Sequence, residues 1–290
     1  MTSPFDDGDV PTLGRLGAFV VITLVASWAI FIATIADTVP AYTAPLVMLV
    51  PAIVTLAIRR AAGTPIRTTV GRSLRGTTPS SLVFAVVYPV AFIGLAAAIA
   101  LLAGLGTYTP GVQSAVDQVV ARGGLVALVL FFGLNFVITY GEELGWRGYL
   151  LPALTAHWGR VRAPLVVGVV WGVYHSAFLY LAARALGVPN PLFVSVVQAG
   201  AVVTISVPFA YSYYVSRGSV VGPIVLHLLW NVLNPWLLGD IYGNVPGLVA
   251  GRVVLVSGEG VLVLVLGTVA AIGFVAVFRR GVGLDVSPRR

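Results

Sequence analysis

Glu142, Glu143 and Arg147 interrupt an otherwise membrane-grade apolar stretch that runs from Leu128 to Leu154. The chain holds three glutamates in all, and two of them stand side by side here. A charge at the centre of a membrane helix costs roughly 2.5–3.5 kcal/mol on insertion scales. A chain with 9% charged residues that still places three at this point uses them. Arg147 follows Glu143 by four positions, so the two share a helix face and can pair. Glu142 is turned by about 100° from Glu143 and is left to face a cavity. Two of the three histidines, His175 and His227, fall in the middle of apolar runs. The third, His157, lies beside Arg160 at a helix end and reads as an interfacial residue. Asn231 is one turn beyond His227 and Asn234 seven residues beyond it, on the same face. His227 and Asn231 are thus placed to donate hydrogen bonds to one developing oxyanion.

No cysteine exists to act as nucleophile, thiolate ligand or disulfide partner. Ser176, next to His175, points to another helix face and reads as a packing residue. Glu142, His175 and His227 also match the ligand types of a catalytic zinc. There is no H-E-x-x-H, and the three lie on separate helices, so no metal and no cofactor is expected, with zinc as the alternative. The aromatic residues Trp146, Trp171, Tyr174, Trp230 and Trp236 read as packing and interface anchors.

Helices must carry these groups. The chain is 58% hydrophobic with a mean hydropathy of +0.99, and apolar runs near the length of a membrane span recur throughout. The fold class is therefore an all-α polytopic membrane protein. The runs place eight transmembrane helices at 14–36, 42–58, 80–105, 123–156, 163–184, 191–216, 219–238 and 253–278. The fourth is too long for a simple crossing and should bend after Gly148, with Pro152 as the break. All 17 basic residues are arginine. Alternating the spans from a cytoplasmic N-terminus puts 13 arginines inside, 3 outside (Arg122, Arg184, Arg252) and Arg147 in the membrane. The reversed topology inverts that bias, so both termini are expected in the cytoplasm. The pI near 10 then reports topology, not nucleic-acid binding. The N-terminus has no basic n-region, so no cleaved signal peptide is expected. One membrane domain, 1–290, is expected, with a catalytic core at 123–235. The arginine-only, alanine- and valine-rich usage points to a prokaryotic cell membrane as the location.

Three motifs in order carry a family resemblance. They are Glu142-Glu143-x-x-x-Arg147, Trp171-x-x-x-His175 and His227-x-x-x-Asn231. Together they resemble the CAAX-protease and bacteriocin-processing family. Its members include the Ras-converting CAAX endopeptidases and their prokaryotic relatives, the CPBP or Abi proteins. One departure is Trp171, where the family usually has phenylalanine. The resemblance implies an intramembrane glutamate endopeptidase. Glu142 would be the general base, His175 would orient the water, His227 and Asn231 would hold the oxyanion, and Glu143 and Arg147 would support the site. The substrate would be a membrane-anchored or lipidated peptide or protein, reached through a polar cavity opening to the cytoplasm. Two other classes stand beside this one: a non-catalytic membrane scaffold or immunity protein of the same fold, and a proton-coupled transporter using Glu142, His175 and His227 as a relay.

Overall fold

A computed structural model describes Phe5 and residues 10–281. The architecture is all-α: α1 Leu13–Ile35, α2 Val50–Ala61 entered through a 3₁₀ segment at Ala41–Leu49, α3 Ile66–Ser73 and α4 Pro79–Leu102. Then follow β1 Gly106–Tyr108, α5 Ala115–Gly145, a π-helical turn Trp146–Leu150, α6 Leu151–Ala185 and α7 Pro191–Val215. The chain continues with α8 Val221–Leu237, β2 Val249–Gly251, α9 Val253–Val256 and α10 Val261–Arg280. The sequence starts several helices where capping predicts. Ser114 and Asp117 form a capping box on α5, Thr12 caps α1, and Thr78 followed by Pro79 opens α4.

Six helical runs are long and apolar enough to cross a membrane, and the multi-pass class follows from them. One run, Ala115–Ala185, spans 71 residues. Gly159, at φ 79° and ψ 171°, divides it into two arms. With that division and the shorter apolar helix α8, eight segments result, near the eight the hydropathy predicts. The turn at Gly159 falls in the gap between the expected helices 123–156 and 163–184. The bend expected after Gly148 meets the π-helical turn Trp146–Leu150, and Pro152 sits in the first turn after it, where its missing N–H removes no α-helical bond. The expected helix 253–278 is also divided. Residues Ser257 to Gly260 form a turn between α9 and α10, and Glu259 lies on it.

Small residues let α5 approach its neighbours. A side chain on Gly145 would collide with Pro51, and one on Gly141 would meet Met48 O at 2.6 Å. This contact locks the last turn of α5, which carries both acids, against the start of α2.

The two ends of the bundle differ in charge. At one end, Val220 N donates to Ser73 O at 2.8 Å, Thr78 Oγ1 donates to Val215 O at 2.9 Å, and His157 Nε2 meets Pro11 O at 2.9 Å. The connections joined there carry Arg67, Arg72, Arg75, Arg160, Arg162 and Arg217. At the other end, β1 pairs antiparallel with β2, and Trp236 Nε1 donates to Val112 O at 3.3 Å. Asp37, Asp117, Asp240 and Glu259 lie at that end, together with Arg122, Arg184 and Arg252. Arg289 and Arg290, counted in the topology argument, lie outside the described residues.

Replacing Gly145 with alanine should lower the melting temperature of the detergent-purified protein, since overpacking a tight contact costs about 1–3 kcal/mol. Gly17→Ala, where an added Cβ meets nothing within 4 Å, should leave it unchanged. Equal melting temperatures would show that the Gly145–Pro51 contact does not hold α5.

Candidate active site

The site grows from the last turn of α5. Glu142 and Glu143 are 1% and 0% exposed, and each reaches forward by one turn. Trp146 Nε1 donates to Glu142 Oε2 at 3.1 Å, and Arg147 Nη1 donates to Glu143 Oε1 at 2.8 Å. Both partners belong to the π turn, whose wider winding directs Trp146 and Arg147 inward. Trp171, from α6, adds a second indole donor to Glu142 Oε2 at 2.8 Å. Both indoles address the same oxygen. Trp146 and Trp171, read from sequence as packing anchors, are therefore polar partners of the buried acid as well. Their ring N–H groups are what a phenylalanine would lack.

The Glu143–Arg147 pair expected from the i, i+4 spacing is present and fully buried. It does more than the spacing discloses. His227 Nδ1, on α8, also meets Glu143 Oε1 at 2.8 Å, so one carboxylate oxygen ties α8 to α5. A carboxylate only accepts, so Nδ1 carries the proton in this bond. The Arg147 guanidinium lies over Trp171 at 4.2 Å and over Phe209 at 4.5 Å. Its Nε and Nη2, and Glu143 Oε2, have no hydrogen-bond partner among the described residues. The two ring faces supply the attraction that hydrogen bonds do not.

His175 directs Nδ1 to Trp171 O at 3.1 Å and packs edge-on against Tyr174. The carbonyl can only accept, so Nδ1 again holds the proton, and Nε2 keeps its lone pair in the neutral ring. Ser176 donates to Gly172 O at 2.7 Å. Exposed His157 belongs to the bundle end far from these groups.

Glu142, His175, His227 and Asn231 line one cavity of about 410 Å³. That is within the roughly 300–1,000 Å³ typical of ligand sites. Glu143 and Arg147 stand behind its wall. Asn234 also lines it, and its Oδ1 accepts from Gly258 N at 2.6 Å. Sequence reasoning missed the other lining residues Asp240, Tyr242 and Glu259. The signal was available for Glu259: an acid in an apolar run, the same argument that singles out Glu142. The walls of the cavity continue toward Ala44, Asp240, Tyr242 and Glu259, at the end opposite the arginine-rich connections.

Among the described residues, no group of three or more histidine, aspartate or glutamate side chains stands close enough to hold a metal ion.

Comparison with known families bears on the class of this helical bundle and its buried acid pair. Residues 124–233 match the model of the Rce1-like family, described as type II CAAX prenyl endopeptidase Rce1-like. The match supports membership of the CAAX-protease (CPBP) family and, in general terms, a protease role. It spans all three motifs, beginning at the Gly124 bend and ending inside α8. No curated protein matches the chain.

Removing one partner of a buried ion pair typically costs about 3–5 kcal/mol, because the other charge is left stranded. Arg147→Met should therefore lower the melting temperature sharply. Adding Glu143→Leu should recover part of that loss, giving a non-additive double-mutant cycle. Additive losses would show that the two charges are not coupled.

Proposed function

We propose that this chain is an intramembrane endopeptidase in which Glu142 activates a water for peptide-bond hydrolysis. The supporting observation is the polarity of Glu142: two indole donors occupy Oε2 while the residue lines the cavity. Oε1 is the oxygen assigned to the water. His175 Nε2 accepts the water's second hydrogen and orients its lone pair. The water oxygen attacks the scissile carbonyl carbon, and its proton passes to Glu142. The carbonyl oxygen becomes an oxyanion that accepts from Asn231 Nδ2. His227 adds a second donor from Nε2 when its ring carries both protons. Glu142 then returns its proton to the leaving amine, the C–N bond breaks, and two peptides result. Glu143 and Arg147 hold His227 and the end of α5 in register.

The reading includes a topology with both termini in the cytoplasm, set by the arginine bias. The wall formed by Asp240, Tyr242 and Glu259 then faces the other side of the membrane. A membrane-anchored or lipidated peptide would enter the cavity from that side or from within the bilayer.

Glu142→Gln should reduce cleavage of a quenched-fluorescence peptide library by at least the roughly 10²–10⁴-fold that general-base catalysis contributes. A zinc chelator should leave the wild-type rate unchanged. Full activity in Glu142→Gln would end the glutamate mechanism. Activity lost to chelator and restored by zinc would move Glu142, His175 and His227 into a metal site. A scaffold would keep its cellular effect after the substitution.

The cysteine-free chain permits a direct test of sidedness. Val245→Cys should react with a membrane-impermeant maleimide added outside intact cells, and Arg75→Cys only after permeabilisation. The opposite pattern would invert the topology.

A further inference from the structure

All three glutamates of the chain belong to one region of the fold, and the third lies outside the segment that matches the family. Glu259 sits on the turn between α9 and α10 and lines the same cavity as Glu142. Its position is built. Gly258 N is bonded to Asn234 Oδ1, and a side chain on Gly258 would collide with that amide. Glu259 Oε2 accepts from Gln198 Nε2 at 2.7 Å and from Tyr242 Oη at 2.9 Å. Gln198 is fully buried, and its amide oxygen has no partner. Because Glu259 can only accept, the amide nitrogen must face it, and the orphaned oxygen stays in the cluster.

Asp240 lines the cavity beside Tyr242, its carboxylate fixed by Tyr242 N at 2.9 Å and Gly243 N at 3.1 Å. Tyr242 packs against His175 at 6.0 Å, which brings this network to the reacting centre. Burial, then the charge of Glu259, pushes the Tyr242 phenol well above its ordinary value, and Glu142 and Asp240 act in the same sense. The three carboxylates thus share the space around Tyr242. Arg147 acts on Glu142 from behind the wall, but no arginine lines the cavity and the chain has no lysine, so no cation lining it faces Asp240 and Glu259.

We propose that Glu259, held by Gln198 and Tyr242, is a specificity-determining residue. It selects peptides that carry a positive charge beside the bond presented to Glu142, and disfavours those carrying a negative charge there. The carboxylates that line the cavity are acceptors, and an ammonium or guanidinium brings only donors. This inference rests on the endopeptidase reading for its register, but the charge preference is measurable in binding alone.

The test uses full-length protein carrying Glu142→Gln, so that bound peptide stays intact. The probes are three apolar peptide amides of one sequence with lysine, norleucine or glutamate beside the central bond, and binding is read by fluorescence anisotropy. The lysine peptide should bind roughly tenfold or more tighter than the norleucine peptide, as a charge-assisted hydrogen bond allows. The glutamate peptide should bind weakest. Adding Glu259→Gln should bring the lysine-to-norleucine ratio near one, and Glu259→Asp should restore part of it, with melting temperatures confirming that each variant is folded. Equal binding of lysine and norleucine peptides, or a preference that survives Glu259→Gln, overturns the proposal. The same peptides offered to the unmodified chain separate the two readings. Lysine-selective binding with no cleavage overturns the protease and leaves the selectivity standing, whereas cleavage indifferent to charge overturns the selectivity alone.

Discussion

One carboxylate oxygen organises this protein. Glu143 Oε1 accepts from Arg147 within its own helical segment and from His227 on α8, in a setting with almost no solvent contact. A buried charge pair is not in itself a source of stability, since desolvation offsets most of the attraction. Its effect is to make alternatives costly: sliding α8 against α5 by one residue would take His227 away from Glu143 Oε1. The arginine is further confined between the faces of Trp171 and Phe209, which come from α6 and α7. Four helical segments therefore meet at a single ion pair.

Around that centre the two acids divide their tasks by helical geometry. Adjacent residues point about 100° apart, so one acid turns into the packed interior and the other toward the cavity. The π turn that follows supplies each with a partner four residues on. Trp171 then completes the shell of Glu142 and, through its backbone carbonyl, orients His175. A single indole residue thereby links Glu142 to His175.

The charge pattern of the whole bundle bears on what can enter. Most of the arginines gather in the connections at one end, while Asp37, Asp117, Asp240 and Glu259 lie at the other with Arg122, Arg184 and Arg252, and the cavity lining reaches Asp240 and Glu259. Such separation suits a topology signal at one face and cation-attracting walls at the opposite one.

Much of this was legible in the residue order. Continuous apolar runs require helices in a bilayer, because every backbone group must be satisfied within its own segment. The i, i+4 spacing of Glu143 and Arg147 sets their pairing without any tertiary information. The Glu-Glu, Trp-His and His-Asn motifs pointed to the family by residue type and order. What no spacing could reveal were contacts between helices: His227 turning to Glu143, Trp171 donating to Glu142, and Glu259 arriving from a turn inside an apolar run. The turn at Gly159 was legible as the gap between two apolar runs, whereas the π turn that precedes Pro152 was not. Periodicity places a side chain on a face of its own helix, but which faces meet depends on close contacts such as Gly145 against Pro51, and those exist only once the helices have packed.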